Sequence, residues 1–313
     1  MPKKMLIFGS SGLAGSKLAE QAKNEYSVYG TYNKRTPNIE NITNYKLELS
    51  DTENLQKLIE EIKPDVIVNA TALHNVDYCE ENKDESFFIN SDVLQKIIDT
   101  SQQFHSKIIH ISTDYVFDGN STTPYNEDDV TSPVSVYGES KLKGEEIILS
   151  HNHTVVRPSV VYGWTPLELE GIVSSSGKPV NFAMWVLDKL HKKEPLTIVT
   201  DQFATATLAD SLALSILKII SSEKSGLYHI SGLSCESRYD FSKKLAKVFG
   251  YDQTKISPTD SSQFKQKAKR PVYSCLDCKK AIKDFELKLL STEMALKIMR
   301  SQVEKDAPYL LGK

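Results

Sequence analysis

This chain has no long apolar run, no surplus of positive charge, no internal repeat and no low-complexity tract, and it is poor in cysteine. A bilayer-spanning helix needs ~20 consecutive apolar residues, so no membrane partner is expected. With 38 Lys and Arg against 41 Asp and Glu the formal net charge is −3, which offers no basic field to nucleic acid. Four cysteines in 313 residues do not make a disulfide framework. Only Cys275 and Cys278 sit close together, and a lone CxxC lacks the second ligand pair of a structural zinc site, so the cysteines are expected as packing residues. The histidines show no ligand spacing beyond His151/His153, which fits a solvent loop, and no metal is expected. Lys3 and Lys4 precede Met5–Phe8, but that apolar run is too short for a signal-peptide core, so a cytoplasmic location is expected.

What is present suits an enzyme-sized globular chain. A composition of 40% hydrophobic and 25% charged residues can bury a large core in one domain or two unequal ones. The run Met5–Phe8 leads into Gly9-Ser10-Ser11-Gly12-Leu13-Ala14-Gly15, three glycines joining an apolar strand to a helix. That spacing permits a tight turn, close approach of main chain to a pyrophosphate, and a helix N-terminus aimed at the anion. Gly9, Ser11, Gly12, Leu13 and Ala14 are therefore candidate dinucleotide contacts, the alternative being an ordinary strand-to-helix turn.

Strand-like runs at Lys4–Phe8, Ser27–Tyr32, Asp65–Ala70, Lys107–Ser112 and Thr154–Arg157 alternate with helical patterns at Ala14–Asn24, Thr52–Ile62, Lys83–Gln103 and Val136–Ser150. Strands apolar on both faces predict a parallel sheet covered by helices on each side. Ligands then lie beyond the carboxyl ends of the strands. After the second strand, Asn33-Lys34-Arg35 carries no carboxylate for ribose hydroxyls and two cations instead, which favours NADP(H) over NAD(H) unless they are solvated loop charges. Glu48, with Leu49 beside it, is placed for an adenine amino group, or is a loop carboxylate near a helix start. Ala70-Thr71-Ala72 is small enough for a cofactor to cross, and Asn90, in an apolar stretch, must find buried partners.

The reactive centre is sought after Ile111. Thr113 ends a strand, and Tyr137 and Lys141 stand four apart on one helical face. A nearby ammonium favours phenolate, so Tyr137 is the candidate acid, Lys141 its tuner, and Thr113 the donor to a carbonyl oxygen. Tyr239/Lys243, Tyr251/Lys255 and Tyr309/Lys313 share the spacing but do not follow a strand-end Ser-Thr pair in the dinucleotide-binding half.

The order GSSGLAG, PDVIVNA, STDYVFDG, YGESK and RPSVVYG resembles the extended short-chain dehydrogenases/reductases, and within them the dTDP-4-dehydrorhamnose reductase family. Asp201-Gln202-Phe203, Gly226–His229 and Arg270-Pro271 extend the likeness over nearly the whole chain. The resemblance implies a Rossmann-type doubly wound α/β sheet with a smaller α/β substrate-binding lobe. Residues 1–162, with returning pieces at about 196–230, would form the NADP-binding domain, and 163–195 with 231–313 the lobe. It implies catalytic roles for Thr113, Tyr137 and Lys141, with the last two also on the nicotinamide ribose. Asp114 would lie by a nucleotide-sugar substrate, and Arg270 on its pyrophosphate. Val160 stands where such reductases carry tryptophan, and the segment from Gly163 to Asn181 is longer than theirs, with the composition of a mobile loop able to close over the site or of a plain surface insertion. Two other readings stay open: an NADP-binding regulatory subunit resembling that of methionine adenosyltransferase, and an epimerase or dehydratase, though Asp114-Tyr115 lacks a dehydratase's acidic pair. A homodimer is also left open.

Overall fold

The computed structural model describes residues 2–165 and 181–312. Its first half supplies strands β1 (Lys4–Phe8), β2 (Ser27–Tyr32), β3 (Thr43–Lys46), β4 (Val66–Asn69), β5 (Lys107–Ile111) and β6 (Thr154–Arg157). They join Gly226–His229 in a seven-stranded sheet of order Gly226–His229, β6, β5, β4, β1, β2, β3. Every pairing in it is parallel. Both faces of β4 and β6 are buried, so both must be covered. On one face Leu18 and Ala19 of helix Leu13–Ala22 and Leu212 and Ile216 of helix Ala209–Ser221 pack on Met5, Ile7 and Val68. On the other, Leu55 and Ile59 of helix Thr52–Ile62 and Leu94 and Ile97 of helix Val93–Ser101 pack on Leu6, Phe8 and Ile67. Each of the buried Leu, Ile, Val, Phe and Met side chains contributes about 1.5–3 kcal/mol, which fixes the layers. The chain is thus a Rossmann-type doubly wound α/β fold whose strand order reverses between β1 and β4.

A second core sits apart from the sheet. Leu245 and Phe249 of helix Arg238–Phe249 pack there with Trp164, Leu187, Leu196, Leu296 and Met299. Leu196–Val199, expected with the nucleotide half, belongs here and pairs with Ile256–Thr259. Its burial alternates along the strand, as suits a sheet with one dry face, whereas a central parallel strand must be dry on both. In the opposite direction, Cys278, Ala281, Phe285, Leu287 and Leu289, expected in the lobe, pack under the main sheet.

Other elements also depart from expectation. β3 was not anticipated, because Thr-Asn-Tyr-Lys is a polar edge strand with no buried residue. The helix expected over Lys83–Gln103 is interrupted by a π-helical turn at Phe88–Asp92. Cys235 and Cys275 are joined by a disulfide, a correction to their reading as packing residues, while Cys79 and Cys278 are buried thiols. The bridge joins segments 40 residues apart, preceding helix Arg238–Phe249 and helix Lys279–Phe285, that are both hydrogen-bonded to Phe203–Ala204. Sequence spacing does not report such a meeting. The Gly163–Asn181 segment lies outside the described residues except at its ends, where Asn181 Nδ2 donates to the Gly163 carbonyl at 3.0 Å. Among the described residues no helix is long and apolar enough to cross a membrane.

Candidate active site

The crevice at the strand-order reversal is lined by the glycine turn. Gly9 has φ +82°, and a Cβ there would stand 2.7 Å from the Thr71 methyl, so any side chain would close the gap between β1 and β4. Ser10 is buried and donates to the Thr31 carbonyl at 3.1 Å, pinning the turn to β2, a role that sequence reading missed. Helix Leu13–Ala22 begins at Gly12 with no side-chain cap and no acidic residue in its first turn. Its positive end is therefore open to an anion. Ser11, Leu13 and Ala14 are half-buried at this mouth, and so are Ala70, Thr71 and Ala72 after β4. Beyond β2, Asn33 and Lys34 are exposed and Arg35 is half-buried. Glu48 is exposed, whereas the Leu49 side chain is committed to the core, leaving only its main chain for a ligand. A turn too tight for any Cβ, beside an uncapped helix start, fits a dinucleotide.

Thr113, Tyr137 and Lys141 come together at the end of β5. Ser135 caps helix Val136–Ser150 by accepting from Gly138 N at 3.2 Å. A Cβ on Gly138 would lie 2.3 Å from the Tyr115 carbonyl, so this glycine allows the helix to press against the turn after β5. Tyr137 then meets Tyr115 edge-on at 5.8 Å, with the Thr113 hydroxyl in hydrogen-bonding reach of its phenol. Thr113 Oγ1 also accepts from Tyr115 N and donates to Asp114 Oδ1, each at 3.2 Å. Burial drives the Tyr137 phenol well above its ordinary value of 10, so it stays protonated at neutral pH. The expected tuning by Lys141 is not present in this geometry. The Lys141 Nζ turns inward to donate to the Ile111 carbonyl at 2.7 Å and lies 3.0 Å from His110 Nε2, and burial lowers it from 10.5 to about 7.

The expected substrate residues are placed unequally. Asp114 is fully engaged: its Oδ2 accepts from Ser159 at 2.7 Å and from Ser274 at 2.6 Å, bracing the site from within. Burial, the larger effect, raises its pKa against those bonds. Arg270, expected on a pyrophosphate, forks instead onto Asp77 at 2.7 and 2.9 Å and onto the Ala268 carbonyl at 2.6 Å. Asp77 lies in the first turn of helix Val76–Glu81 and offers that arginine a bidentate acceptor. Val160 has φ +42°, a strained value for a β-branched residue, and lines a small cleft with Phe182, Ser237, Arg238 and Phe241.

Several residues at the site went unseen in the sequence. Arg238, first in its helix, stacks over Phe182 at 4.8 Å and reaches the Tyr115 hydroxyl. Arg157 and Glu145 form a buried pair at 2.5 Å, joined by the Ser112 hydroxyl. Asn90, at the π turn, clamps Leu73 by accepting from its N–H at 2.8 Å and donating to its carbonyl at 3.2 Å, and donates to Ser140 Oγ at 3.0 Å. Arg238, Arg157 and Glu145 were the unseen ones, whereas Asn90 was expected to find buried partners and does so.

Comparison with known proteins finds relatives along nearly the whole chain. The family model described as RmlD substrate binding domain matches residues 3–304. The spore coat polysaccharide biosynthesis protein SpsK of Bacillus subtilis is 31% identical over 276 residues, covering 87% of this chain and 88% of that protein. The dTDP-4-dehydrorhamnose reductase of Sinorhizobium fredii is 31% identical over 293 residues, covering 88% and 94%. Among solved structures, dTDP-4-dehydrorhamnose reductase from Bacillus anthracis in complex with NADP superposes with TM-score 0.82 at 26% identity, covering 96% of this chain and 100% of that one.

Proposed function

Because this chain belongs to the RmlD substrate binding domain family, and is on that ground a dTDP-4-dehydrorhamnose reductase-like oxidoreductase, we propose that it reduces the keto group of a nucleotide-activated sugar, dTDP-4-dehydrorhamnose being the favoured substrate. NADPH, held at the Gly9–Ala14 turn and bordered by Lys34, Arg35, Glu48 and Ala70–Ala72, would supply the hydride. The observation that carries the reading is the convergence of Thr113, Tyr137 and Lys141 at the end of β5, with the Thr113 hydroxyl beside the Tyr137 phenol.

Tyr137 gives its proton to the carbonyl oxygen as negative charge develops there. Thr113 donates a hydrogen bond to the same oxygen, after exchanging its bond to Asp114. Asp114, locked by Ser159 and Ser274, keeps the Thr113 turn in place. Arg238 supplies an unforeseen cation at the lobe side, where a sugar-linked phosphate would approach, and Val160 and Phe182 shape the adjoining wall. The cytoplasm, where soluble nucleotide sugars and NADPH meet, is the proposed location.

A panel of keto-sugar nucleotides assayed with NADPH and NADH tests this. Turnover of dTDP-4-dehydrorhamnose with NADPH is expected. Tight NADPH binding without turnover on any keto sugar would overturn it in favour of a regulatory binding role.

A further inference from the structure

Behind the reaction centre runs a chain of buried polar groups that leads from the crevice to Lys141. Thr71 N donates to Asn69 Oδ1 at 3.1 Å, and the Thr71 hydroxyl contacts the same oxygen. Asn69 Nδ2 lies 3.1 Å from His110 Nδ1, and His110 Nε2 lies 3.0 Å from Lys141 Nζ. Asn69 and His110 are wholly shielded from solvent, and Lys141 nearly so.

Counting protons along the chain fixes its polarity. A backbone N–H is an unconditional donor, so Thr71 holds the amide oxygen of Asn69 on its own side. The Asn69 NH2 must then point at His110 Nδ1, which accepts only if it carries no proton. A neutral imidazole with bare Nδ1 has its proton on Nε2 and donates it to Lys141. Lys141 receives that bond only through a lone pair, as an amine rather than an ammonium. Ionising Lys141 moves the imidazole proton to Nδ1, against the Asn69 NH2, and one buried bond is lost.

We propose that Asn69 and His110 are positioning residues that hold Lys141 as a neutral amine, linking proton uptake by Lys141 to the arrangement of the Ala70–Ala72 segment beside the cofactor crevice. Burial acts in the same sense on both titrating groups, lowering Lys141 to about 7 and His110 well below 6.5. A ligand that draws Thr71 off Asn69 frees the amide to turn its oxygen to His110, and Lys141 then takes up a proton. By reciprocity, ligand affinity varies with pH over the Lys141 titration.

The other charged groups around the pair are accounted for. Glu145, on the same helix as Lys141, favours the ammonium but is paired to Arg157 of β6. Glu80 is bonded to Val136 N, Lys83 faces Glu139 at 3.8 Å, and Asp92 faces Lys143, all on the start or outer side of the helix. Asp114, Tyr115 and Cys79 face Tyr137.

The inference rests on Lys141 belonging to the reaction centre, yet its deciding readouts, the His110 tautomer and the Lys141 midpoint, need no substrate, so failure of the proposed reduction and failure of this relay are separable. In protein carrying 15N histidine and lysine, His110 signals are assigned by their loss in His110→Gln. The wild type should show the Nε2–H tautomer, with Lys141 titrating near 7. Asn69→Asp keeps an acceptor for Thr71 but presents an acceptor to Nδ1. It should switch His110 to the Nδ1–H tautomer and raise the Lys141 midpoint by roughly one pH unit or more. The matching limb of the pH profile of kcat/KM should move the same way. A wild-type Nδ1–H tautomer, or a Lys141 midpoint that Asn69→Asp leaves in place, overturns the proposal. If that variant does not fold, the wild-type tautomer alone decides.

Discussion

In the proposed reaction proton and carbonyl converge on Thr113, which neighbours the Tyr137 phenol while Asp114 is held by two serines. Thr113→Val removes the donor and keeps the shape, so kcat should fall about 100-fold with KM for NADPH unchanged, as steady-state kinetics would show. At the opposite end of the crevice Lys34 is exposed beside Arg35. Lys34→Glu should raise KM for NADPH roughly tenfold and leave that for NADH nearly unchanged, since only the former presents a ribose phosphate to the reversed charge. Equal effects on both cofactors would mean that this side chain does not discriminate between them. The Tyr137/Lys141 spacing and the strand-end Thr113 were legible because they are local. Arg238 and the Arg157–Glu145 pair were not, because their partners are set by which elements the fold brings together. Arg270 was legible as an arginine but not as a partner of Asp77, which lies 193 residues away.

Helix Val136–Ser150 holds the site as one piece: Ser135 caps its start, Tyr137 and Lys141 occupy one face, and Glu145 ties it to β6 through Arg157. Glu145→Gln leaves Arg157 buried without its counter-charge and should lower stability by about 3 kcal/mol. Denaturant melts would show the midpoint moving at constant slope, and an unchanged midpoint would mean that the pair is neutral for folding. Elements with strong apolar runs, such as β1, β4 and β6, were legible to within a residue or two. β3 was not, being a short polar edge. The π turn at Phe88–Asp92 was hidden as well, because an extra residue in a helical turn leaves the apolar pattern nearly intact while redirecting Asn90 toward Leu73. Leu196–Val199 was misplaced among the pieces returning to the first half, since a four-residue run does not name its partner.

The molecule as a whole combines a Rossmann-type sheet with a second core, and its response to pH follows from what both bury. His229 donates from Nδ1 to the Tyr125 carbonyl at 3.1 Å, and burial together with the Arg157 cation lowers it to about 3. An unfolded histidine protonates near ~6.5, so between the two values the unfolded chain binds the extra proton, and stability is lost as pH falls through that window. At pH 5 the loss is about 2 kcal/mol for His229, with His110 acting in the same direction. Melts of the wild type should weaken from pH 7 to pH 5, and His229→Gln should flatten that slope; a parallel slope in the variant would exclude His229 as its source. At this scale the doubly wound fold was legible from alternating strands and helices, whereas the crossing of chain segments between the two cores and the Cys235–Cys275 bridge depended on contacts that no local pattern records. Delivery of the proton by the Tyr137 phenol during reduction of a keto sugar is decided by following NADPH oxidation with dTDP-4-dehydrorhamnose in Tyr137→Phe. A loss of roughly 100-fold or more in kcat with NADPH binding preserved is expected, whereas turnover at the wild-type rate in that variant would exclude Tyr137 as the proton donor.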